Sequence, residues 1–95
     1  MLDYTALIPK LMSAVRVKSD SSAEELYDLT VACIADLRIA GVYVTDPEDA
    51  LCLQAIKLYV KAHYGYESDS DKFKTCYKAL KDAMALCGDY AKKEE

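Results

Sequence analysis

The thiols of Cys33, Cys52, Cys76 and Cys87 and the imidazole of His63 are the side chains best suited to nucleophilic or metal chemistry in this chain. Their spacing favours neither. No C-x-x-C pair occurs, the intervals between cysteines are wide and irregular, and a lone histidine adds little toward a tetrahedral zinc site. Each cysteine falls among the apolar positions of a predicted helix, where a reduced thiol acts as a small buried hydrophobe. Disulfides are the alternative reading. His63 falls in the last turn of a predicted helix, where it complements the partial negative charge of the carbonyl end. The carboxylates gather at helix starts, where capping and dipole effects account for them. The stretch ESDSDK lacks the glycine and glutamate that a calcium-binding loop requires at fixed spacing. There is no glycine-rich phosphate loop, no G-x-S-x-G and no H-E-x-x-H, and the three glycines each read as a helix stop. The sequence therefore predicts no catalytic residue, no metal and no cofactor.

Tyrosine is the side chain in excess. The chain has eight, against one phenylalanine and no tryptophan. Tyrosine joins apolar area to a polar tip and is enriched where protein surfaces meet. Tyr64 and Tyr66 bracket Gly65 at a predicted helix end, and Tyr43 and Val44 sit in the short apolar segment Gly41–Thr45. These four residues are the candidate interface. The competing reading makes the tyrosines the roof of a small helical core, and Gly41–Thr45 a loop tucked over it.

The elements that would hold these residues are helices. The central one is predicted over about 47–64, with Asp46 as its cap, Pro47 at the first helical position, Glu48 and Asp49 in the first turn, and Gly65 as its stop. Gln54, Lys57 and Lys61 form one narrow polar stripe, and apolar residues fill most of the remaining circumference. Such a helix must be covered on more than one side. A short helix from about Ile8 to Val15 precedes it. A second runs from Ala23 to Ala40, opened by Ser22 with Glu25 or Ser21 with Glu24, and a last one runs from Asp71 to Leu86 with Ser68 or Ser70 as cap. Phe73, Cys76, Tyr77, Leu80, Ala83, Met84 and Cys87 make the apolar stripe of that last helix. The prediction is an all-α, single-domain bundle of four helices around the buried central one. Residues 1–7 read as an arm or frayed turn, either packed on its own core or reaching a neighbouring subunit, and residues 89–95 as a charged tail of the kind that is often mobile.

Composition narrows the partners. Ninety-five residues with 53% apolar content make one small globular domain, for which oligomerisation is a common source of extra stability. Twelve basic against sixteen acidic residues give a net charge of −4, so the electrostatic footprint of a general nucleic-acid binder is absent. No run of about 18 apolar residues and no secretory-type N-terminus is seen, which predicts a protein made in a reducing cytoplasm without a membrane span.

The order of these elements resembles a known family. Lys10, Val15, Arg16 and Asp20 form an entry segment. An E-E-L-x-x-L-x-x-A helix follows, then a central helix bearing Ala55, Ile56, Leu58, Tyr59, Val60 and Tyr64, and a closing helix. From Ile8 to about Met84 the chain resembles the small head–tail connector proteins of tailed bacteriophages, also called head-completion or DNA-packaging adaptors. It departs from them at Tyr64-Gly65-Tyr66-Glu67, where family members often carry an aromatic residue followed by arginine. The resemblance implies a non-enzymatic virion component that forms an oligomeric ring below the portal protein, extends the DNA channel and offers a surface to a tail-side connector or tail-completion protein. DNA would pass through without specific binding, and before assembly the protein would reside in the host cytoplasm. The alternatives are a small regulatory adaptor that binds another protein, and a helix-turn-helix DNA reader supported by the turn before Asp46.

Overall fold

The computed structural model of the protein describes residues 4–14, 21–46, 48–63 and 70–90. Four α-helices make up the fold: α1 (Ile8–Ala14), α2 (Ser21–Ile39), α3 (Ala50–His63) and α4 (Ser70–Ala85). A 3₁₀ turn, Thr5–Leu7, leads into α1, and another, Gly88–Tyr90, follows α4. No strand occurs among the described residues. The all-α bundle expected from the periodicity is the observed fold. Helix α3 is its centre, packed most extensively on α4, then on α2, then on α1.

The core follows the helical repeat. Leu26, Thr30, Cys33 and Leu37 from α2 meet Cys52, Ala55, Ile56 and Val60 from α3, with Leu7 and Leu11 closing one side and Tyr77 and Met84 another. Thr30 is the one buried polar residue among those described, and its hydroxyl donates to the Leu26 carbonyl at 2.8 Å, one turn back. No buried side-chain nitrogen or oxygen among the described residues lacks a partner.

Helix α2 ends in a Schellman motif. Gly41 takes φ +95°, its N–H donates to the Arg38 carbonyl at 3.0 Å, and the Val42 N–H reaches back to the Leu37 carbonyl at 2.8 Å. Val42 is fully buried, supplying the hydrophobic contact that accompanies this motif. The chain leaves α2 directed over the core, which places Tyr43 and Val44 half-buried beside it.

The start of α3 corrects the prediction. The helix begins at Ala50, and its cap is Asp49, whose Oδ2 accepts from the N–H groups of Leu51 (3.2 Å) and Cys52 (3.3 Å). Asp46 instead closes the preceding turn: its Oδ1 accepts from the Glu48 N–H at 3.0 Å and its carbonyl from the Asp49 N–H at 3.1 Å. At Asp49 a single carboxylate satisfies two of the orphan donors of the first turn, which a cap at Asp46 does not do. The serine caps shift likewise. Ser21 and Ser22 are the first helical residues of α2 and Ser70 the first of α4, while Ser68 lies outside the described residues.

The described ends pack on the fold. Leu7 is buried in the core, and the Tyr4 ring lies 5.9 Å from that of Tyr27, so the described part of the N-terminal arm is packed. Gly88 begins a 3₁₀ turn that brings Tyr90 back onto the fold. Its carbonyl accepts from the Tyr43 N–H at 2.8 Å, and its hydroxyl donates to Asp49 Oδ2 at 2.7 Å. Tyr90 thus ties the loop after α2 to the cap of α3. On α4, Tyr77 and Met84 face the core, whereas Cys76 and Ala83 are exposed and do not belong to the buried stripe.

Candidate functional site

Two regions gather the residues that could act: a polar seam between α2 and α4, and an open apolar groove on the outer face of α2. The seam is a chain of hydrogen bonds. The Cys33 thiol points at the Tyr77 hydroxyl (3.8 Å), with the Ala55 carbonyl as its other acceptor at 4.0 Å. The Tyr77 hydroxyl donates to Asp36 Oδ2 at 2.6 Å, and Lys81 Nζ donates to the same oxygen at 3.0 Å. Lys81 also sits 5.2 Å from the Tyr77 ring centroid, and Tyr59 meets that ring edge-on at 5.2 Å. Tyr77 and Lys81 are one turn apart on α4, so a single carboxylate on α2 engages both.

The electrostatics of the seam hold each group in its resting form. Burial pushes the Cys33 thiol up to about 12, with the nearby Asp36 charge adding to it against the opposing effect of its hydrogen-bond contact with Tyr77. Burial also raises the Tyr77 hydroxyl, and its hydrogen bond to Asp36 raises it further. For Asp36, partial burial alone would raise the carboxyl; the hydrogen bonds from Tyr77 and Lys81, with the charges of Lys81 and His63, outweigh it and keep the group below the usual carboxylate range. A thiol that stays protonated at neutral pH is a poor nucleophile and a poor metal ligand. Cys52, the other buried thiol, is likewise pushed to about 12 by burial and by Asp49. All four cysteines are free, but only Cys33 and Cys52 are buried; Cys87 is half-buried and Cys76 exposed, contrary to the expectation that all four pack inside. Among the described residues no three of His, Cys, Asp and Glu come together as a metal site, and no helix is long and apolar enough to cross a membrane.

The groove is the opposite kind of place. It is an open trough of about 540 Å³ walled by Val31, Ile34, Ala35 and Ile39 of α2 together with Tyr4 and Tyr43, and it continues past Val44 and Thr45. Arg38 stands at its rim with the guanidinium 5.7 Å from the Tyr43 ring centroid. Ile39 is 86% exposed and Val31 45%, which is unusual for aliphatic side chains two turns apart on one face.

Of the four candidate interface residues, the structure brings Tyr43 and Val44 to this groove, while Tyr64 and Tyr66 lie outside the described residues. The groove's other walls, Val31, Ala35 and Ile39, are not among the candidate interface residues read from the sequence. The signal was available: α2 carries apolar residues on more than one face, and Val31, Ala35 and Ile39 follow one another at helical spacing opposite Cys33 and Leu37. His63 ends α3 as expected and stacks on Tyr59 at 4.3 Å. No protein-family model, no curated protein and no solved structure matches the chain.

Proposed function

We propose that the protein is a structural, non-enzymatic assembly component, a head–tail connector of a tailed bacteriophage. In this reading it forms a ring below the portal, extends the DNA channel and joins the capsid to a tail-side protein. The observation that supports an assembly role most directly is the open apolar groove around Tyr43, on a small domain whose buried side-chain nitrogens and oxygens, among the described residues, all have partners. Contiguous exposed apolar surface on a soluble domain commonly marks a protein–protein contact. The connector identity itself draws on the resemblance in element order and in the packing pattern of the central helix. A net charge of −4 suits a channel that lets DNA pass without gripping it.

The helix-turn-helix alternative has less in its favour. That motif joins its helices by a turn of about three or four residues, whereas residues 40–49 separate α2 from α3. Its reading helix would be α3, which is enclosed by the other three helices and buries Cys52, Ala55, Ile56, Val60 and Ala62. The decisive experiment is electron microscopy and sedimentation velocity of the purified chain, alone and with a bacteriophage portal protein. Rings, or decoration of the portal, are the expected result. A chain that binds neither itself nor a portal would overturn the proposal.

A further inference from the structure

The groove on α2 has a counterpart on α4. Glu24, Asp28, Val31, Ala35 and Arg38 follow one another at intervals of four, three, four and three, so they share one face of α2, and all are exposed. Lys72, Cys76, Ala79 and Ala83 of α4, with Leu86 in the turn directly after it, repeat the same intervals, and all are exposed too. Asp36 meets Tyr77 and Lys81 where α2 and α4 face each other, which leaves the two strips on flanks turned away from one another. A surface of one shape on one flank and a different surface on the other is what a heterologous, ring-forming contact requires.

Direction and charge agree with that contact. The Asp36–Lys81 bond joins the two helices near their C-termini, and the Tyr43–Tyr90 backbone bond joins the segments just beyond, so α2 and α4 run the same way. In a ring of many copies each neighbour is rotated only slightly, so α4 of one copy laid against α2 of the next also runs parallel to it. Lys72 then falls beside Glu24 and Asp28, and Leu86 falls beside Arg38. Among the described residues none of these charged groups has an ion-pair partner within its own chain. Ala79 and Ala83 are small enough for close helix approach, and Leu86, 89% exposed, is the one large side chain on the strip to fill the groove by Ile39 and Tyr43.

We propose that the Lys72–Leu86 strip of one copy seats in the α2 groove of a second copy, head to tail. The inference rests on the assembly reading above and names the surfaces that carry it. The native thiol of Cys76 makes it testable in the full chain. In this register Asp28→Cys places a second thiol opposite Cys76 of the neighbouring copy, so mild oxidation should yield disulfide ladders extending beyond the dimer, and Cys76→Ser should remove them. Ala83→Arg should abolish assembly in sedimentation velocity while circular dichroism stays unchanged. Lys72→Glu should weaken assembly by about two- to five-fold, and adding Glu24→Lys should restore it. Ladders that stop at the dimer, that survive Cys76→Ser, or that fail to form overturn the interface. If rings still appear by electron microscopy in Ala83→Arg, the interface is wrong and the assembly role stands. If the unmodified chain neither self-associates nor binds a portal, both fail.

Discussion

The two faces of α2 are built on opposite plans. The inner face presents Cys33, Asp36 and Leu37 to α3 and α4, and each polar group there has its partner: thiol to hydroxyl, hydroxyl to carboxylate, carboxylate to ammonium. The outer face presents Val31, Ala35 and Ile39 to open space. Judged by residue type alone, the inner face looks like the site, since it holds a thiol, a phenol, a carboxylate and a lysine within one network. Judged by satisfaction, it is a staple. A catalytic group is kept poised in a form that can react, whereas here the thiol and phenol are held protonated and the carboxylate is already committed to two donors. The outer face has no chemistry and an unspent capacity to bury area. In a small helical protein the second property is the better guide to function.

The sharpest way to break this comparison is at Tyr77. Tyr77→Ala removes a buried ring and the central member of the network, and should cost about 3–5 kcal/mol by the usual range for buried aromatic truncations. Tyr77→Phe keeps the ring and loses only the hydroxyl, and should cost about 2 kcal/mol, as expected for a hydrogen bond to a charged group. Urea unfolding read by circular dichroism measures both. If Tyr77→Phe were neutral for stability yet altered assembly, the inner face would be more than a staple.

Next in size is Gly41→Ala. A Cβ at this position meets nothing within 4 Å, so the cost is that of the left-handed backbone alone, about 1–2 kcal/mol. The variant separates the two faces because it strains the turn that carries Tyr43 to the groove without touching the inner network. Thermal unfolding should shift down, and assembly should fall in step with it.

Dependence on pH tests the inner face without mutation. The Asp36 carboxyl lies below its ordinary value of about 3.9, and so does that of Asp49, where the Tyr90 hydroxyl and the N–H groups of Cys52 and Leu51 hold the charged form. Their contribution is fully in place above about pH 4 and disappears as the pH falls through the lower folded values. Cys33 and Cys52 act at the other end. Their folded values near 12 exceed the ordinary thiol value of about 8.5, so their contribution is intact below about 8.5 and is lost as the pH rises toward 12. Stability should therefore be flat between these limits, with an acid limb that Asp36→Asn reduces and an alkaline limb that Cys33→Ala reduces. Urea midpoints across the pH range are the measurement.

What the sequence made legible follows from how local each signal is. The helices, the centrality of α3 and the burial of Cys33, Leu37, Cys52 and Ile56 rest on periodicity, which a single stretch of chain contains in full. Gly41 as a stop is equally local, because only glycine takes φ +95° without strain. The cap of α3 was read at Asp46 although Asp49 qualifies equally by type, and Tyr90, 41 residues away from Asp49, helps to fix the choice. Tyr90 itself was hidden in a tail whose composition is charged. The groove was half visible: Tyr43 and Val44 stood out as apolar residues in a connection, but its walls come from Tyr4 and from the far side of α2, and no local pattern says which of two apolar helix faces will be covered.

The smallest expected change in stability is at Ile39, and it is the one that sharpens the comparison most. At 86% exposure this side chain contributes little to the isolated fold, and isoleucine and serine have similar helix propensities, so Ile39→Ser should alter unfolding free energy by no more than about 0.5 kcal/mol. Tyr43→Asp, placed on the other wall of the groove, should likewise leave helix content intact, since the Tyr43 backbone N–H bond to Tyr90 is kept and its ring meets the exposed Arg38 at the rim rather than the core. Both should weaken self-association in sedimentation velocity, because each puts a polar group where apolar area would be buried. A loss of assembly with no loss of stability is the signature of a docking face. The reverse result, a drop in stability of the monomer with assembly unaffected, would mean that the outer face belongs to the fold after all, since an exposed isoleucine can matter to a folded monomer only through contacts within the chain itself.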